Sequence, residues 1–251
     1  MTGSGGDDRG RIALEQLVSN VRKSREAQRW DQLQAEFLSA VSDFDTEYAT
    51  GSRATGWYQS KAGYFNDLLV LLLQNSTGRV LGRSVKRKSA LFDEIDIDLC
   101  YPADQAKDPS VGAEAKILGT PPHPGNNNTA RRAQADIHKR VREVALTAVD
   151  FKARYARPQP ISSFQSWIQE TRPKYYSFWA FRVADDSDFQ KVRQIMNALK
   201  TYCNGVGAFF YRERSVDEPT SYVAAPAPEL SIDSVLNEMA FAIVQDGGPA
   251  E

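Results

Sequence analysis

The stretch that most constrains this chain runs from Phe92 to Gly119. Between Glu94 and Cys100 acidic and apolar residues alternate strictly, as Glu94-Ile95-Asp96-Ile97-Asp98-Leu99-Cys100. That two-residue period is the signature of a half-buried β-strand. It points Ile95, Ile97 and Leu99 one way and Glu94, Asp96 and Asp98 the other. A second short strand follows from Val111 to Leu118, and the same period puts Glu114 and Lys116 on one face. The loop between the two runs is rich in Asp, Lys and Pro, so a hairpin is the simplest connection. Folded in this way, the hairpin brings two or three carboxylates and one ammonium onto a single face.

Carboxylates in neighbouring strand positions repel one another unless a cation sits among them or some are protonated. Hard oxygen ligands of this kind suit Mg²⁺, which keeps several waters and accepts phosphate oxygens as partners. A lysine two residues beyond a ligand carboxylate lies beside such an ion. There it orients a water or offsets charge growing on a phosphate. The candidate set is therefore Asp96, Asp98, Glu114 and Lys116, with the Ala115 carbonyl as a further oxygen.

This arrangement resembles the PD-(D/E)XK nuclease superfamily, the fold of many restriction endonucleases and repair nucleases. The residues that carry the resemblance are Asp96 or Asp98 as the lone acid and Glu114-Ala115-Lys116 as the E-x-K element. It implies that Asp96, Asp98 or both bind Mg²⁺ with Glu114 and Ala115, with Mn²⁺ as a substitute, and that Lys116 assists the attacking water. It implies a Mg²⁺-dependent DNA endonuclease of restriction or defence type, with RNA as a further substrate class. It also implies a homodimer, or a subunit of a larger defence complex. In that superfamily the helix before the first strand often carries an acid after a Gly-x-aromatic step. Here Gly63-Tyr64-Phe65 is followed by Asn66 and Asp67, so an amide stands where the family usually has Glu. A Gln near the start of the helix after E-x-K often faces the active site, and Gln134 is placed to do so. Asn66, Asp67 and Gln134 are accordingly candidates to support the metal ligands.

Charge and composition limit the partners. Lys+Arg number 31 against 32 Asp+Glu, so contact with nucleic acid must come from a local basic patch rather than from overall charge. Arg83, Lys86, Arg87 and Lys88 on one segment, with Arg131 and Arg132 on another, are the candidates. Two cysteines far apart, Cys100 and Cys203, fit a reducing cytoplasm without a disulfide framework or a zinc site. The longest apolar run, residues 68–73, is a core signal rather than a membrane span.

In chain order, residues 1–10 read as a disordered tail and residues 11–50 as an N-terminal helical extension. In the extension Leu33, Phe37, Val41 and Phe44 form one helical stripe. Residues 51–215 read as the nuclease-like core. A buried apolar helix (Trp57 to Gln74) precedes a first strand at Val80 to Lys88 and then the acidic hairpin. After an irregular Pro-rich loop containing His123, a helix capped by Thr129 runs to about Tyr155 with His138 on its surface. A short helix follows to Glu170, then a strand at Tyr175 to Val183, a helix, and a strand at Ala208 to Tyr211. Strand, helix, strand at this spacing is a parallel crossover. Residues 216–251 read as a Pro-rich loop and a last helix. The expected fold is thus α/β, a restriction-endonuclease-like mixed sheet flanked by helices, with extra helices at both ends.

A competing pattern shares these residues. Gly82-Arg83-Ser84 followed by Asp96-Ile97-Asp98 also resembles nucleotidyltransferases, in which two aspartates hold Mg²⁺ for nucleotide transfer. That reading gives no role to Glu114-Ala115-Lys116. A third reading is a nucleic-acid-binding subunit without turnover.

Overall fold

The computed structural model describes residues 8–24, 26–51, 60–158, 160–215 and 218–246. The described residues form a six-stranded mixed sheet in the order β1-β2-β3-β4-β5-β6. Strands β1 (Gly82–Lys88), β2 (Glu94–Tyr101) and β3 (Val111–Leu118) form an antiparallel meander. Strands β4 (Lys174–Arg182) and β5 (Gly205–Ser215) then continue parallel to β3, and β6 (Glu218–Ala225) closes the edge antiparallel to β5. The expected parallel crossovers are present. Helices α4 (Gln134–Tyr155) and α5 (Phe164–Glu170) join β3 to β4, and α6 (Asp186–Leu199) joins β4 to β5.

Helices cover both faces. On one side α1 (Arg9–Lys23), α2 (Trp30–Ala49), α3 (Ser60–Thr77) and α7 (Ile232–Asp246) share one apolar cluster with Tyr176, Phe178 and Ala180 of β4. On the other, α4 and α6 pack against Tyr175, Trp179 and Phe181 of the same strand. A strand buried on both faces is mostly apolar, and the aromatic-rich β4 fits this, with Ser177 and Arg182 as its buried polar residues. The Leu33, Phe37, Val41, Phe44 stripe of α2 is buried as its spacing requires. Trp30 meets Phe65 of α3 and Phe209 of β5 edge-on, each with ring centroids 5.5 Å apart. The two N-terminal helices therefore share the central core. No described helix is long and apolar enough to cross a membrane.

Three expectations are corrected. Residues 218–225 form strand β6 rather than a loop. Its Pro219 is accommodated because β6 is an edge strand. Thr129 does not cap α4, which begins at Gln134. Residues 120 and 131 instead exchange backbone hydrogen bonds, at 2.9 and 3.0 Å, and close the Pro-rich loop on itself. Of the proposed apolar helix, Trp57, Tyr58 and Gln59 lie outside the described residues.

The third correction matters most. Ile95, Ile97 and Leu99 do not share a face. Ile97 packs with Val85 in the α4 layer, whereas Leu99 packs in the α3 layer. The change occurs at one rung, where Ser84 and Asp98 face each other but drop out of the ladder. Ser84 adopts a left-handed φ of 50° there. Both strands switch faces together, and β2 leaves β3 at the same point, since their last shared rung is Leu99 with Ala113. The outer hairpin arm then lies over α4, where buried Asp150 secures its tip. The Asp150 carboxylate accepts from Ser89 Oγ and from the backbone N–H groups of Ala90 and Leu91, at 2.7–2.9 Å. Asp150→Ala is expected to destabilise the protein by about 1–3 kcal/mol, because it orphans these donors. Faster amide exchange at Ala90 and Leu91 would localise the loss.

Candidate active site

The parting of β2 from β3 opens a cleft of about 560 Å³ between α3 and α4. Asp98 sits at the point of separation. Its Oδ2 accepts from the Ala115 N–H at 2.9 Å and from Lys116 Nζ at 3.1 Å. The Asp98 carboxylate thus occupies the place where the next rung of the β2–β3 ladder would bind Ala115. Lys116 Nζ also donates to Glu114 Oε2, so one ammonium bridges the two carboxylates. Glu114 is only 7% exposed and lies beneath Lys116, while Asp98 opens onto the cleft.

Burial dominates the electrostatics. It pushes the Glu114 carboxyl up to about 7, with Asp98 adding repulsion and Lys116 pulling the other way. Burial works to lower Lys116, but Glu114 and Asp98 outweigh it and hold the ammonium above the usual lysine range. Lys116 is therefore a cation at neutral pH. Beneath the site the Tyr175 hydroxyl is buried without a hydrogen-bond partner. Burial and the charge on Glu114 keep it protonated far above neutral pH.

Because folding raises the Glu114 pKa, the folded chain holds that proton more tightly than the unfolded chain. The associated stability is full below the ordinary carboxyl range and is lost as pH rises through about 7. Glu114→Gln should remove this dependence. The variant is expected to gain on the wild type by on the order of 2–3 kcal/mol between pH 5 and pH 8. Urea unfolding at the two pH values measures it.

The remaining sequence candidates divide clearly. Asp98, Glu114, Ala115 and Lys116 come together. Asp96 does not join them: it pairs across from Lys86 in the hairpin arm, beyond the strand separation, and is exposed. Asn66 is buried beside Asp98, with Nδ2 donating to the Asp98 carbonyl at 3.3 Å. Asp67 is held by Arg83 at 2.6 Å. Gln134 is not in the cleft wall, and its backbone N–H donates to Asp188. Two residues further on, Asp136 lines the cleft, as does Arg140 one turn later.

Among the basic candidates, Arg83 and Arg131 lie on the cleft rim, paired with Asp67 and Asp136. Lys86 and Lys88 are exposed, each 3.7 Å from Glu94. Arg132 pairs with Asp185 on the surface. Arg87 is a correction. It is buried, and its guanidinium donates to the carbonyls of Pro102, Asp104 and Lys107, which fastens the hairpin arm to the β2–β3 loop. No phosphate can reach it there. His123 stacks on Tyr48 at 4.3 Å, and His138 is exposed on α4.

The sequence reading missed Lys61 and Asp136 as cleft residues. Asp136 and Arg140 stand four apart, so they share a helix face, a signal visible before folding. Thr120 reaches the cleft because the chain turns just after β3 at Gly119, whose φ is +86°. A Cβ at that position would lie 2.3 Å from the Arg182 carbonyl oxygen, so only glycine permits the turn.

A hard divalent cation is compatible with this donor set. Two carboxylates and the Ala115 carbonyl supply oxygens, and Lys116 already places positive charge between the carboxylates. Among the described residues no three His, Cys, Asp or Glu side chains gather at one point. Water or substrate oxygens would complete the shell, as Mg²⁺ prefers. Comparison with known proteins finds no matching family model, curated protein or solved structure.

Proposed function

We propose that the chain is a Mg²⁺-dependent phosphodiesterase acting on nucleic acid, in the manner of a PD-(D/E)XK endonuclease. The observation that carries this reading is the Lys116 ammonium bridging Asp98 and Glu114 at the mouth of a strand-separation cleft. The element order supports it. A buried helix, three antiparallel strands, two helices, a parallel strand, a helix and a further parallel strand are compatible with the order expected from the resemblance.

In this reading Asp98, Glu114 and the Ala115 carbonyl hold the cation, which supplies Lewis-acid activation of a phosphate oxygen or a water. Lys116, held as an ammonium, donates rather than accepts. It orients the attacking water and offsets the negative charge that builds on phosphorus. Arg131 and Arg140 on one wall and Arg83 on the other are placed to contact neighbouring phosphates by exchanging their carboxylate partners. Helices α3 and α4 wall the two sides of the cleft. One site cuts one strand, so cleavage of duplex DNA would use a symmetric dimer or a partner subunit. A restriction or defence role follows from the resemblance alone.

The nucleotidyltransferase alternative requires Asp96 and Asp98 to act together. The exposed position of Asp96 in the outer arm gives it no support.

End-labelled single- and double-stranded DNA and RNA, incubated with Mg²⁺ or EDTA, test the proposal. Hydrolysis that needs Mg²⁺ and disappears in Asp98→Asn is expected. Incorporation of labelled nucleotide into an acceptor, without strand cleavage, would overturn it.

A further inference from the structure

The tip of the β1–β2 hairpin departs from the usual composition of a turn. Surface turns favour Gly, Pro, Asn, Asp and Ser, yet this one presents Leu91 and Phe92, 61% and 57% exposed. The tip is not loose. Asp150 accepts from the N–H groups of Ala90 and Leu91, and Ser89 Oγ accepts from the Phe92 N–H at 2.6 Å. Both side chains are therefore held out to solvent on a fixed frame. Leu146, 45% exposed, stands one turn before Asp150 on α4 and so flanks the tip. Single apolar residues on a surface are ordinary, but three gathered on a fastened turn and its supporting helix mark a contact surface.

Charge decides what fits it. The exposed stripe of α4 continues from Leu146 through Arg142 to Lys139. On the hairpin arm Asp93 and Asp96 are exposed beside the tip. Glu94 draws in Lys86 and Lys88, but none of Asp93, Asp96, Lys139 and Arg142 joins a salt bridge among the described residues. Free acids on the arm and free cations on the helix thus border the same apolar patch. The acids disfavour a phosphate backbone at this surface. A two-fold contact uses one patch on both subunits, so that residue i meets j and j meets i. An apolar centre with an acidic flank and a basic flank on the same chain meets that condition, and it has the apolar core and polar rim of a protein interface.

We propose that Leu91, Phe92 and Leu146 form the centre of a two-fold contact between two copies of this chain. In that contact the acidic arm of each copy lies on the basic α4 stripe of the other. The occupant is a second copy because the chain itself carries both complementary flanks. The proposal goes beyond the phosphodiesterase reading and does not depend on it, since none of these residues lines the cleft.

Sedimentation equilibrium of the full chain over a range of concentrations, without metal or nucleic acid, tests the proposal. A monomer–dimer equilibrium is expected for the wild type. Leu91→Ser combined with Phe92→Ser should weaken it by about tenfold or more. Leu146→Ser is the independent arm if the tip variant does not melt like the wild type. Asp93→Lys with Asp96→Lys should weaken self-association, and so should Lys139→Glu with Arg142→Glu. An equimolar mixture of these two charge-reversed variants should form dimers again, because each arm then meets a helix of opposite charge on the other chain. A wild type that stays monomeric overturns the proposal, as does a dimer that the tip and Leu146 variants leave unchanged. A mixture that does not recover overturns the pairing of arm on helix. Weaker binding of a labelled oligonucleotide by the tip variant, with a monomeric wild type, would assign the surface to nucleic acid instead. A monomer that cleaves DNA overturns the dimer and leaves the phosphodiesterase reading intact.

Discussion

Lys116→Ala is expected to lower Mg²⁺-dependent strand cleavage by about 10²–10³-fold, the usual loss when one positioned donor to a developing anion is removed. The geometry explains why no neighbour would substitute. Lys116 Nζ reaches both Asp98 and Glu114 from the outer end of β3, and the nearby arginines at the cleft are engaged with Asp67, Asp136 and Glu143. Lys116→Arg should rescue little, since a planar guanidinium cannot occupy the point between two carboxylates that a compact ammonium fills. Lys116→Ala also removes the pull that Lys116 exerts on Glu114, so the Glu114 carboxyl should titrate still higher than about 7. Cleavage by Lys116→Ala should consequently recover in part as pH is raised, a profile that simple misfolding would not give.

Asp45→Ala should produce the largest loss of stability, about 3–5 kcal/mol, because it strands a buried charge. Asp45 is fully buried in α2 and accepts from Lys61 Nζ at 2.7 Å and from the Tyr222 hydroxyl at 2.6 Å. Lys61 is itself only 1% exposed, and burial holds its ammonium below the usual lysine range despite the pull of Asp45. Three elements distant in sequence, α2, α3 and β6, are tied by this one carboxylate. Combining Asp45→Leu with Lys61→Met should recover much of the loss, since an apolar pair carries no desolvation cost. Urea unfolding of the single and double variants measures the coupling. If Asp45→Ala unfolds like the wild type, the pair contributes nothing and the network is incidental.

The acidic alternation of β2 and the Glu-x-Lys of β3 were legible because a strand repeats every two residues. The two-residue period puts Glu114 and Lys116 on one face, and the β2–β3 register ends one residue short of Asp98 and Glu114. The change of face at Ser84 and Asp98 was not legible. Nothing in Asp-Ile-Asp-Leu marks which rung will break, and the answer depends on α3 and α4 competing for opposite faces of the same strand. That break is why Asp98 joins the centre and Asp96 does not. Arg87 looked like its exposed neighbours Lys86 and Lys88. Its burial arises only when the bent arm folds onto the carbonyls of the β2–β3 loop. Lys152 is similar, a helix cation that ends up buried and donating to the carbonyls of Thr171 and Pro173. Asp45 left a trace that could have been read. It lies four residues after Val41, in the buried stripe of α2, and an acid in such a stripe requires a buried partner. Strand β6 was obscured by its proline and alanines, and it forms because β5 offers it an edge.

The central claim is that Asp98, Glu114 and Lys116 form one hydrolytic centre. The most direct test is cleavage of plasmid and single-stranded substrates by the intact chain with Mg²⁺ or Mn²⁺, beside folded Glu114→Ala and Lys116→Ala. The account predicts metal-dependent cutting by the wild type that both substitutions abolish or reduce at least a hundredfold. Cutting that survives in both variants, or none by the wild type on any substrate, would contradict it.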